Sequence, residues 1–153
     1  AAVAALAEGG RSRAVRCLVL VAPACTLTGV LERWAQGTAR LPRPVIDRVY
    51  DELWRRNGVP VQHWDAVARG RDLDVPTLVL HDPLDPVVPF RDAEAVAAGL
   101  RRARLVAVPG AGHAGVLTAA AAKDRVRAFV AEHAPAPAVP AVPAAPGSAG
   151  DGG

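Results

Sequence analysis

The sequence holds no methionine, a single lysine, two cysteines and only 4% aromatic residues. Without Met and with few rings, any core must be built from Ala, Val and Leu, which bury little area per residue. Cys17 and Cys25 have neither metal-ligand spacing nor the number a disulfide framework needs. Cys17 falls inside an apolar run and reads as a buried thiol, which fits a reducing cytoplasm. No apolar run approaches the eighteen or more residues of a membrane span. The stretch "RSRAVR-CLVLVA-PA" (11–24) imitates a leader peptide, but its apolar part is too short and begins too late. Although the net charge is +3, the arginines are scattered and interleaved with acids, so the basic stripe that nucleic-acid binding requires is missing. Their densest group, Arg101, Arg102 and Arg104, is expected at the end of a helix, where cations suit the dipole. No His, Cys or acidic cluster has metal-site spacing, and neither a metal nor a cofactor is expected.

What remains is enough for one domain of 153 residues. "AVRCLVLVAPA" (14–24), "VPTLVLHD" (75–82) and "ARLVAVPG" (103–110) are continuous Val/Leu runs, the pattern of parallel strands covered on both faces. The first predicts a strand over 15–22. Between the last two, "RDAEAVAAGL" (91–100) places Ala93, Val96, Ala97 and Leu100 on one helical face, with Asp92 and Glu94 in its first turn. "VLTAAAAKDRVRAFVAEHA" (116–134) predicts a second covering helix with Val116, Ala119, Ala120, Val126, Phe129 and Val130 inward. The fold class is therefore α/β, with three parallel strands and flanking helices.

Four segments follow. Residues 1–26 hold the end of a helix, stopped by Gly9 and Gly10, and a core strand. Residues 27–72 carry three helix-like pieces and all three Trp; they read either as a helical cap over the carboxyl ends of the strands or as ordinary packing, with Trp34, Trp54 and Trp64 as core anchors. Residues 73–133 form a core with two polar loops. Residues 134–153, "APAPAVPAVPAAPGSAGDGG", have no periodicity and are expected to be disordered.

The chemistry lies in the two loops. Asp85 follows the second strand and His113 sits in a Gly-rich loop after the third, so both emerge at the carboxyl edge of neighbouring strands, where open α/β sheets bind ligands. A carboxylate that accepts the Nδ1 proton of an imidazole fixes its tautomer and frees the other nitrogen as a general base. Asp82 competes as the acid, but an Asp before Pro83 suits a local turn and accepts backbone donors. His81 is expected to pack at the strand end; His63 and His133 read as surface helix residues.

On "LVLVAPA", "VPTLVLHDPLDPVVPFRDAEAVAAGL" and "ARLVAVPGAGHAGVL", the chain resembles the carboxy-terminal portion of the α/β-hydrolase fold family, over residues 1 to about 133. The resemblance implies a partial α/β-hydrolase fold with a helical cap insertion over 27–72. It maps the catalytic acid to Asp85 and the base to His113; many members carry Gly where this chain has Asp82. The family's nucleophile elbow, G-x-S-x-G, is not in the sequence, and residues 1–8 correspond to the helix just beyond it. The nucleophile is therefore expected before Ala1. Ser12 lies at the wrong sheet edge, Ser148 lies in the tail, and Cys25 and Thr26 stand where the family enters its cap.

Three functional expectations follow. The first is a serine hydrolase acting on an ester-like or other acyl bond of a small molecule through a Ser-His-Asp triad, represented here by its acid-base half, with a partner chain or an amino-terminal half supplying the rest. The second is a catalytically inactive binding or interaction module of the same fold. The third is a truncated reading frame without a function of its own. No nucleic-acid or membrane partner is expected.

Overall fold

The two continuous apolar runs in the middle of the chain form neighbouring strands whose residues are sorted by parity onto the two faces of a sheet. The structure, a computed structural model, describes residues 2–8 and 14–134. The helix stop expected at Gly9 and Gly10, the position of Ser12 and the tail from Pro135 lie outside these residues. Strands β1 (Leu18–Val21), β2 (Thr77–His81) and β3 (Ala103–Ala107) make a parallel sheet in the order β1-β2-β3. Leu18 pairs with Thr77 and Thr77 with Ala103. β1 is four residues long, shorter than the expected 15–22, and Cys17 precedes it half-buried.

On one face Val79 packs with Val3, Ala93, Val96 and Leu100, and Leu18, Leu20 and Leu105 join them. On the other Leu78 and Leu80 pack with Val116, Ala122 and Phe129, and Val19, Val21 and Val106 join them. The first face is covered by helices α1 (Ala2–Glu8) and α5 (Phe90–Gly99), and the second by α7 (Ala120–His133). Burial on both sides explains the unbroken apolar runs, and each fully buried Val or Leu contributes roughly 1.5–3 kcal/mol.

Between β1 and β2 the chain makes its helical excursion: α2 (Leu27–Arg33) running into a π-helical turn (Trp34–Thr38), α3 (Arg43–Asn57), a 3-10 turn (Val61–Trp64) and α4 (Ala66–Gly70). Pro44 in the first turn of α3 and left-handed Gly58 at its end (φ 68°) set its limits. Trp34 and Trp54 are 53% and 61% exposed, which corrects their reading as core anchors: without a facing apolar layer their helix faces meet solvent. The last piece, α4, packs against α1 and α5. The feet of the excursion meet, because Ala66 N–H donates to the Cys25 carbonyl at 3.1 Å.

Two further expectations are revised. The covering helix starts at Ala120, not Val116, because a separate short helix α6 (Gly112–Gly115) and a turn intervene, and Val130 faces solvent. Arg101, Arg102 and Arg104 follow α5 and do not lie in its last turn. Arg101 donates to the Arg71 carbonyl at 3.0 Å, and Arg104 sits on β3 within 3.5 Å of Glu132.

Candidate functional site

β2 ends at fully buried His81 and hands the chain to the loop that carries Asp82 and Asp85. β3 ends at Ala107, and the Val108 N–H donates to the His81 carbonyl at 2.8 Å. That bond carries the sheet ladder one residue further and sends both chains out side by side. Past it, Gly110 and Gly112 take positive φ (76° and 67°), a backbone that L side chains rarely adopt, and His113 follows on α6.

The loops meet in a side-chain bond: His113 Nδ1 lies 2.8 Å from Asp85 Oδ2. An ionised carboxylate only accepts, so Nδ1 carries a proton, and in the neutral ring that tautomer leaves the lone pair on Nε2. The Asp85 side chain is fully buried, whereas the His113 side chain is 38% exposed. Nothing among the described residues hydrogen-bonds His113 Nε2. Asp85 Oδ1 accepts from Val87 N–H (2.7 Å) and Val88 N–H (3.0 Å). Burial pushes the Asp85 carboxyl up, but the Val88 N–H, His113 and the Val87 N–H together outweigh it and hold the group below its ordinary range.

His81 is a second imidazole beside this acid. Its Nε2 donates to the Val88 carbonyl at 2.9 Å and lies 3.4 Å from Asp85 Oδ2, while its buried Nδ1 has no hydrogen-bond partner among the described residues. A carbonyl only accepts, so Nε2 carries a proton. Asp82 has a different role from Asp85. Its Oδ1 accepts from Leu84 N–H at 2.9 Å, as a turn-forming Asp does. Its Oδ2 reaches across 30 residues to accept from Gly112 N–H at 2.5 Å. The Leu84 and Gly112 donors, helped by Gly110 and Ala111 N–H, hold its carboxyl below the usual range against the effect of burial. The local turn was legible in the sequence; the reach to Gly112 was not.

Cys25 and Thr26 are occupied elsewhere. Thr26 caps α2, accepting from Gly29 N–H at 2.9 Å. Burial, together with Asp65 and Asp92, pushes the Cys25 thiol up against the opposing pull of Arg33, which disfavours the reactive thiolate. Asp92 gave no sequence signal beyond its place in a first turn, yet its Oδ2 accepts from Cys25 N–H (3.2 Å) and pairs with Arg33 Nη2 (3.0 Å). His63 stacks edge-on against Trp64, and His133 Nδ1 bonds the Phe129 carbonyl at 2.8 Å. Among the described residues no group of three or more His, Cys, Asp or Glu side chains is placed to hold a metal ion. No helix among them is long and apolar enough to cross a membrane. An apolar cavity of about 310 Å³ opens at the carboxyl end of β1, between Val3, Leu20, Leu27 and Trp64; Asp85 and His113 do not line it.

The fold has solved counterparts. Rv0554 from Mycobacterium tuberculosis superposes with a TM-score of 0.60 at 17% identity, over 88% of this chain and 62% of its own. Est1E from Butyrivibrio proteoclasticus gives 0.55 at 18%, over 84% and 56%. MGS-MChE2, an alpha/beta hydrolase enzyme from a Mar Chica lagoon sediment metagenome, gives 0.54 at 16%, over 84% and 57%. The chain thus spans about three-fifths of the length of these structures. No match was found among curated proteins. The family described as TAP-like protein matches residues 51–139, more than half of the chain and the whole of both polar loops. The chain belongs to this TAP-like family, within the α/β-hydrolase fold.

Proposed function

We propose that Asp85 and His113 are the acid and base of a Ser-His-Asp triad that hydrolyses an ester or other acyl bond in a small molecule, with the serine supplied from outside residues 1–153. The observation that carries this reading is the 2.8 Å bond from His113 Nδ1 to a fully buried carboxylate, on an imidazole still 38% exposed. That arrangement fixes the tautomer, stabilises the imidazolium and leaves Nε2 open to take a proton from a nucleophile and return it to a leaving group. Leu84 and Val87, exposed on the acid loop, give the surroundings an apolar character suited to an acyl group. The excursion over 27–72 serves in this reading as the cap that selects substrate.

The test is hydrolysis of a chromogenic acyl ester by two proteins: residues 1–153 alone, and the reading frame extended upstream through a G-x-S-x-G segment. The expected result is no activity of residues 1–153 above a His113→Ala control, and His113-dependent turnover in the extended protein. The short chain lacks both the nucleophile and oriented oxyanion donors, which supply several kcal/mol of transition-state stabilisation. A His113-dependent burst from residues 1–153 alone would overturn the proposal and direct attention to Cys25 or Thr26. A second reading, a binding module of the same fold, draws on the apolar cavity at the end of β1; it is favoured if the extended protein binds an acyl ligand without hydrolysing it.

A further inference from the structure

We propose that Asp82 is the positioning residue for His113: a carboxylate that holds both loops and thereby sets the distance across which His113 and Asp85 meet. This rests on the reading of His113 as the base. Asp82 is almost wholly buried and both of its oxygens are used. Oδ1 accepts from Leu84 N–H at 2.9 Å, and the Asp82 carbonyl accepts from Asp85 N–H at 3.1 Å, so the turn that presents Asp85 is built on this residue. Oδ2 accepts from Gly112 N–H at 2.5 Å, one residue before His113.

The His113 loop has little else to define it. A Cβ added at Gly110 or at Gly112 would meet nothing within 4 Å, so side-chain packing does not confine either residue. Their positive φ values (76° and 67°), on either side of Ala111 at φ −81°, alternate left- and right-handed residues. This alternation curls successive N–H groups toward one point and forms a nest for an anion. The anion is built in: Gly112 N–H donates to the Asp82 carboxylate, and the neighbouring Gly110 and Ala111 N–H groups favour its charge. Removing that carboxylate leaves the Gly112 N–H without its acceptor, and the loop loses the contact that ties it to the Asp82 turn. Asn is no substitute, because its amide must direct either its oxygen or its NH2 group to each loop, and one loop then faces a donor.

Nuclear magnetic resonance on residues 1–153 tests this without any turnover. In the wild-type chain a scalar coupling through the hydrogen bond is expected between Gly112 15N and Asp82 13Cγ; its absence in a well-resolved spectrum overturns the proposal before any variant is made. Asp82→Asn and Asp82→Ala are then compared with Val96→Ala, which loosens the opposite core face. At matched global stability, the His113 Nδ1 proton and the Gly112 amide should exchange at least tenfold faster in the Asp82 variants than in Val96→Ala. Equal exchange in all three would show that Asp82 contributes stability only. Failure of the hydrolase reading would appear as His113-independent turnover in the extended protein, a result that leaves these spectra unchanged.

Discussion

Replacing Asp85 by Asn and by Ala separates what this carboxylate does for the fold from what it does for the imidazole. Asp85→Asn keeps an oxygen where Oδ1 now accepts from Val87 and Val88 N–H at 2.7 and 3.0 Å. The new NH2 group replaces Oδ2 and faces His113 Nδ1, so one of two donors must yield. The ring answers by moving its proton to Nε2, the wrong tautomer for a base, and turnover of the extended protein should fall on the order of 10⁴-fold. The stability cost is that of one charge-assisted hydrogen bond, roughly 1.5–3 kcal/mol. Asp85→Ala also strands the buried Val88 N–H, adding about 1–3 kcal/mol, whereas exposed Val87 can turn to water. Urea unfolding of residues 1–153 should therefore rank wild type above the Asn variant and the Asn variant above the Ala variant, while ester hydrolysis by the extended protein should fall equally in both. Asp85→Asn retaining more than a tenth of wild-type turnover while folded would refute the assignment, and so would a larger loss in Asp82→Asn.

Three other outcomes are expected. Asp82 and Asp85 both have carboxyls held below their ordinary value, so their contribution to stability is complete above the unfolded value of about 4 and is lost as pH falls through the lower folded values. Acid titration of urea midpoints should show this decline, and Asp85→Asn should flatten it; a variant curve parallel to wild type would contradict the burial and bonding described. β1 pairs with β2 alone among the described residues, with Leu18 and Ala22 N–H directed to β2, so Val19 and Val21 amides should exchange rapidly while Leu20 is protected. The open apolar edge should also promote self-association visible by sedimentation; a stable monomer with uniformly protected 17–21 would mean the edge is covered. Gly99→Ala should destabilise by about 1–3 kcal/mol, because its Cβ would come 2.7 Å from Val67 Cγ1 and 3.2 Å from Val67 Cα; an unchanged thermal midpoint would show that α4 can move away.

Features that depend on continuous composition were readable in advance. "LVLV" and "TLVLH" announce strands covered on both faces, because no polar residue interrupts their apolar centres at either parity. The short distances from strand end to Asp85 and to His113 put both side chains at one sheet edge. Interactions between a side chain and a distant backbone group were not readable. The bonds from Asp82 to Gly112 and from Asp92 to Cys25 join residues 30 and 67 positions apart, and they leave no period in the sequence. The exposure of Trp34 and Trp54 escaped for a related reason: an aromatic on an amphipathic helix reads as buried only if another layer faces it. The Ala-rich start of α7 hid the break after Val116, since Ala favours helix on either side of it.

The joined feet of the helical excursion bear on how this protein can change over generations. Cys25 is fastened to Asp92 through its N–H and to Ala66 through its carbonyl, and Arg33 pairs with the same Asp92. The forces that close the loop therefore lie at its base, on residues shared with the sheet-flanking helices. α3, farther out, is edged by exposed pairs such as Arg43 with Asp47 and Arg55 with Glu52, each of which contributes little. Substitutions at the exposed positions of residues 39–59 should therefore be inherited at small cost to folding, while buried Ile46, Asp92, Arg33 and the backbone contact at Ala66 stay under selection. Variation in what the excursion covers can then accumulate independently of the two loops that hold Asp85 and His113.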